Sequence, residues 1–216
     1  MMNPNPRLTF LFPLLVALLS APELHAQEPT AYTFSHIDIE DGLSNSFNLW
    51  GVEDRHGAVW FSTEAGFTRI TGDGCTVLST ANSHLLENSA EHIFYNKTDD
   101  QIWLFTNKYG LSLINCITLE VQQHPERSKF HNQLMVYATD AADGGIWMGF
   151  NDGAIQHRDI NGNYTLYSSE NIRNLPSLRI RFILDDGHNH LYVGYNNRGM
   201  SVIDLGKNSV KYFIIK

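Results

Sequence analysis

The chain carries little positive charge. Its 216 residues hold 15 Lys and Arg against 23 Asp and Glu, a formal net charge of −8, so no basic face is offered to nucleic acid or to anionic lipid. Beyond residue 26 no apolar run is long enough to re-enter a membrane. Stretches of ten residues with a 3.6-residue apolar period are also missing, which excludes helical repeats. There are ten histidines but no H-E-x-x-H, and His188 and His190 share a polar turn, which reads as solvated rather than metal-binding. G-x-S-x-G and P-loop signatures are absent. These lacks point away from catalysis, and neither metal nor cofactor is expected. A calcium role stays open for the DAADGG and DDGHNH turns.

What is present begins with a leader. Residues 1–26 join one positive charge in MMNPNPR to the apolar run LTFLFPLLVALLS and to APELHA ending in Ala26. That combination reads as a secretory signal peptide, with an uncleaved anchor as the alternative. No Cys follows the run, which argues against a lipoprotein. The expected location is periplasmic or extracellular, with a single domain from residue 27 to 216.

That domain is periodic. Trp60, Trp103, Trp147 and Tyr192 stand 43, 44 and 45 residues apart, within DRHGAVWFSTEAGF, KTDDQIWLFTNKYGL, DAADGGIWMGFNDGA and DDGHNHLYVGYNNRGM. Each string is a polar turn, a short apolar strand and a second turn closed by Gly66, Gly110, Gly153 or Gly199. Fifteen residues before the anchors stand Asn45, Asn88, Asn132 and Ser177, so the phase runs through the linkers as well. Within a repeat, runs such as FNLWGVED, AVWFST, GFTRIT and CTVLST alternate with Gly, Asp and His turns, as consecutive antiparallel strands do. Four strands recurring every 44 residues or so predict an all-β chain of β-propeller blades. The blades are placed at about 45–80, 88–123, 132–168 and 177–215. A spare outer strand is expected at 32–39, because YTFSHIDIEDGLSN aligns with the end of a repeat. Four blades with an unused outer strand predict an incomplete propeller or open arc, whose end faces expose apolar surface. Self-association or further blades would cover those faces.

The segment 34–72 also resembles a known family, the two-component regulator propeller repeats at the periplasmic end of hybrid sensor histidine kinases in Bacteroidetes-type bacteria. Gly42, Leu43, Ser44 and Asn45 match its linker, and Asp54, Gly57, Trp60, Thr63 and Gly66 its turn and strand, with Phe67 in place of Leu. The second repeat has Asp99 and Asp100 where the turn glycine is expected, and the fourth has Tyr192 for Trp. The resemblance implies a sensor region that binds a small extracellular ligand, often an oligosaccharide, and signals to a kinase. No second membrane segment, phosphoacceptor region, ATP-binding glycine box or receiver follows, so the chain is expected to lack its own kinase and to be the amino-terminal part of a longer sensor. Two other classes stay open: a secreted or surface-associated assembly protein, and a propeller lyase or hydrolase.

Individual residues sort by repetition. Acids recurring at one turn (Asp54, Asp99, Asp100, Asp143, Asp185 and Asp186) suit backbone capping, since a catalytic pair is needed once. The Trp and Tyr anchors are expected between blades, as is Trp50, with Ile93, Tyr137 and Phe182 at its phase. Cys75 and Cys116 precede the outer strands of adjacent blades, where strands fan apart, and are expected as thiols. Ligand contacts are expected where blades differ, on the face formed by the interblade linkers and the loops between second and third strands, which hold Glu64, Lys108, Tyr109, Asn151, Asp152, Asn196, Asn197 and Arg198.

Overall fold

The computed structural model describes residues 34, 36–106, 110–123, 129–196 and 198–214. The segment 1–26 expected as a signal peptide, Lys108, Tyr109 and Asn197 lie outside these. Contacts divide the chain at His36, and the following concerns the unit from Ile37 onward.

Among the described residues, sixteen strands form four antiparallel sheets of four. Blade 1 contains β1 (Asn48–Glu53), β2 (Val59–Thr63), β3 (Phe67–Thr71) and β4 (Gly74–Leu78). Blade 2 contains β5 (His92–Asn96), β6 (Gln101–Thr106), β7 (Gly110–Asn115) and β8 (Val121–Gln123). Blade 3 contains β9 (Met135–Asp140), β10 (Ile146–Phe150), β11 (Ile155–Arg158) and β12 (Tyr164–Tyr167). Blade 4 contains β13 (Ile180–Asp185), β14 (His190–Tyr195), β15 (Gly199–Asp204) and β16 (Ser209–Phe213). Every sheet is a simple meander, so each strand pairs with its chain neighbours. These are the blades of a propeller-type repeat. Of the segment 32–39, the described residues carry no strand; Asp38 and Ile39 instead accept the N–H groups of Leu43 and Gly42 in a turn.

The innermost strands pack in series, β1 on β5, β5 on β9 and β9 on β13. Burial follows from that order. In β6 and β10, in the middle blades, nearly every residue is buried, because both faces of the sheet are covered. In β1 and β16 the pattern alternates between exposed and half-buried. Three cores fill the gaps between blades. Trp60 and Phe67 meet Ile93, Tyr95 and Leu104 in the first; Trp103 and Phe105 meet Met135 and Met148 in the second; Trp147 and Ile155 meet Ile180, Ile183 and Val193 in the third. Trp60, Trp103 and Trp147 are buried, each contributing on the order of 3 kcal/mol. Tyr192 is only half-buried, since its side of blade 4 meets no further blade; Phe182, Leu184 and Phe213 are exposed in the same blade.

The turns show why glycine and aspartate recur. Gly153 has φ +88°, and a Cβ there would strike the backbone of Pro176 and Leu178. Asp54 Oδ1 accepts the N–H groups of His56 and Ala58, while its Oδ2 accepts the Trp60 indole at 2.8 Å, so one carboxylate ties turn to anchor. Asp186 repeats the backbone pair, accepting His188 N and His190 N. Cys75 and Cys116 are both free thiols, Cys75 half-buried and Cys116 buried. Burial, with Asp100 and Asp54 nearby, pushes the Cys116 thiol up to about 12.

Candidate functional site

Alternation along a strand sends residues to opposite faces, and a β-bulge interrupts that alternation to re-aim one side chain. The innermost strands use this device repeatedly. Register shifts fall at Leu49 in β1, Val136 in β9 and Arg181 in β13. Glu91 occupies the matching place before β5, its N–H bonded to Phe105 O. Leu49, Glu91 and Arg181 come together around a recess of about 220 Å³, completed by Trp50, Ser89 and Ala90. Arg179 and Glu91 form an ion pair at 2.6 Å that links blade 4 to blade 2 across the inner edge of the arc. The Arg181 side chain is exposed and has no hydrogen bond or ion pair among the described residues.

Beneath the recess lies a layer of rings. Trp50 pairs across to Ser62, His92 to Phe105, Tyr137 to Gly149 and Phe182 to Gly194, which makes these four equivalent. Trp50 and His92 meet edge to face at 4.5 Å, and His92 stacks on Tyr137 at 4.5 Å. The position in blade 2 is thus held by His92, correcting the expectation of Ile93. The β5–β6 ladder runs one pair further than its counterparts, to Asn96 and Gln101, around a tighter turn with Asp100 at φ +54°, so the hairpin holds one more residue and counting back from Trp103 lands one place late. Ile93 faces the other side, into the first core. His92 Nε2 donates to Ala138 O at 3.1 Å, which leaves Nδ1 as a buried acceptor without a partner among the described residues. Burial lowers the His92 pKa to about 4, and the bond to Ala138 only partly offsets it. The ring is neutral at physiological pH.

The loops between second and third strands are placed differently. Glu64, Asn196 and Arg198 are exposed; Asn151 and Asp152 are half-buried. Asp152 bonds His131 at 2.8 Å and caps Ala154 N, and Asn196 N donates to Arg179 O. The loops of blades 3 and 4 are thus fastened to the linkers of their own blades. None of these residues lines the recess, which takes its linker residues from Ser89 and Ala90 and the rest from bulges. Bulges have no composition of their own, and periodicity alone does not show them. Among the described residues no group of three His, Cys, Asp or Glu is arranged as metal ligands, and no helix is long and apolar enough to cross a membrane.

The fold and this arrangement define a β-propeller repeat chain with a small polar and aromatic recess at its inner edge. No protein-family profile matches the sequence, and no curated protein does. Solved structures do. The extracellular domain of BT3049, a candidate hybrid two-component system of B. thetaiotaomicron, is 24% identical over 83% of this chain and 26% of that one, with a TM-score of 0.71. The corresponding domain of BT4673 from the same organism is 16% identical over 81% of this chain and 25% of that one, at 0.62. PorZ, a surface component of the type-IX secretion system of Porphyromonas gingivalis, is 11% identical over 82% and 23%, at 0.56. The likeness establishes the propeller fold, and the chain spans about a quarter of each of these proteins.

Proposed function

We propose that this chain is an exported, sensor-type propeller segment that recognises a small extracellular ligand, such as an oligosaccharide, for two-component signalling carried out by other domains. The observation that carries this reading is the recess: bulges in two blades and the matching residue of a third bring Leu49, Glu91 and Arg181 together beside an indole. Arg181 supplies donors for a hydroxyl or carboxylate, and Trp50 and Leu49 an apolar wall. The likeness to two extracellular domains of candidate two-component systems supports a periplasmic or extracellular setting and a larger parent propeller. The test is a thermal-shift screen of an oligosaccharide panel against wild type and Arg181→Ala. A ligand that stabilises wild type and loses at least half of its shift in the variant supports the site; a shift unchanged in the variant refutes it.

The exposed face of blade 4 favours a second reading, surface assembly through propeller contacts. Phe182, Leu184 and Phe213 leave apolar area in water that blades 1 to 3 bury. Light scattering across a concentration series distinguishes the two: a stable oligomer disrupted by Leu184→Asp supports assembly, and a monomer throughout removes it.

A further inference from the structure

A second cavity lies at the other end of the strands, between blades 3 and 4. It holds about 380 Å³ and is lined by Asp143, Trp147, His157, Tyr167, Asp185 and Asn189 among others. Three of these are aromatic and close together: His157 stacks on Trp147 at 4.2 Å, and Tyr167 lies 5.7 Å from the same indole. Two are carboxylates, and no Lys or Arg is in the lining.

Blade 1 shows what this arrangement is missing. There the residue paired across from Trp60 is Arg69, and its guanidinium stands 5.7 Å from the indole centroid. In blade 3 the residue across from Trp147 is His157, which is shorter and donates Nε2 to Asp143 Oδ1 at 3.2 Å. Where blade 1 supplies its own cation over the anchor ring, blade 3 has an open cleft. Asp185 is already committed: Oδ2 accepts Ala142 N and the Trp147 indole, and Oδ1 accepts Gly187 N. Asp143 is not. Its Oδ1 is used by Gly145 N and His157, and it stays half in solvent, with Oδ2 free of any hydrogen bond among the described residues. Aromatic rings flanked by carboxylates in a cleft without cations attract ammonium groups through ring and charge together.

We propose that this cleft binds a small organic cation, a protonated amine carried on a saccharide-sized scaffold, with the ammonium at Asp143 and the scaffold against His157 and Tyr167. Calorimetric titration of the full chain with glucosamine, N-acetylglucosamine and glucose at pH 7 tests it. Glucosamine is expected to bind at least about tenfold more tightly than either neutral sugar, the ratio corresponding to one cation–carboxylate and ring contact. Asp143→Asn preserves the Oδ1 bonds and is expected to weaken glucosamine at least about fivefold, while Arg181→Ala changes it less than about twofold. Equal binding of glucosamine and glucose, no binding of glucosamine, or an Asp143→Asn variant that binds as wild type overturns the proposal. Because Arg181 belongs to the other recess, failure of either site leaves the other measurable.

Discussion

Asp185→Ala isolates a single inter-blade fastening. In blade 1 the anchor indole is held by its own turn, through Asp54; at the matching turn of blade 3 stands Ala141, and Asp185 of blade 4 takes the Trp147 indole instead at 2.8 Å, together with Ala142 N at 3.0 Å. Removing that carboxylate leaves a buried indole N–H unpaired, a cost of about 1–3 kcal/mol, while the two backbone N–H groups turn to water in the cleft. A net loss of about 2 kcal/mol lowers the melting temperature of a domain this size by roughly 4–8 °C. Calorimetry or urea unfolding measures it. Burial alone would raise the Asp185 carboxyl, but bonds from Ala142, Gly187 and Trp147 outweigh it and hold the pKa below the ordinary carboxylate range. With a depressed folded pKa, the stabilisation is complete above the unfolded value of about 4 and is lost as pH falls through the folded one. The difference between wild type and variant is therefore flat at neutral pH and narrows in acid. Ala141→Asp added to Asp185→Ala restores a carboxylate where blade 1 has it and recovers part of the loss. A destabilisation under about 0.5 kcal/mol refutes the clamp.

Three further outcomes are expected. Gly153→Ala places a Cβ against the backbone of Pro176 and Leu178 at φ +88°, and costs about 2 kcal/mol or more by urea unfolding. Ile183→Ala, at 2% exposure, costs about 2–4 kcal/mol, whereas Leu184→Ala, at 59%, costs under about 1 kcal/mol; similar values for the pair would mean that the open face is covered. His92, with its pKa lowered to about 4, stays neutral in an NMR titration down to about pH 5. Its unfolded form takes a proton near pH 6.5, so stability falls as pH drops from there toward 4, by roughly 3 kcal/mol in all; a ring titrating near 6.5 in the folded protein refutes its burial.

Much of the fold was readable because a 44-residue period states its own unit. The phase of Trp60, Trp103 and Trp147, and the four β runs around each, announce stacked four-stranded sheets. The serial packing of four blades was readable too, from the count of repeats. What was not readable lies in departures from the period. His92 in place of Ile93 follows from one extra residue in one hairpin, whose ladder is a pair longer than the others. The recess is made by bulges at Leu49 and Arg181, which break the alternation that pattern reading relies on. The Asp185 clamp crosses from one blade to the next, so its partner cannot be inferred from either repeat alone. The loops from Glu64 to Arg198 differ between blades as a binding surface should; of their described residues none lines the recess, and in blades 3 and 4 bonds such as Asn196 N to Arg179 O tie them to their own linkers.

The stacking order has a kinetic corollary. Each blade is held only by its neighbours, so resistance to opening is graded along the chain instead of uniform. Amide protons in β6 and β10, sandwiched on both faces, exchange only when two interfaces part at once. Those of β16 are released when a single sheet peels away. Blade 4 is packed on one neighbour here, and it carries both Arg181 and Asp185. A molecule seated in the recess bridges blade 4 to blades 1 and 2, and one in the cleft bridges it to blade 3, so occupancy would be read as slowed exchange in β13 to β16, with no change of shape required.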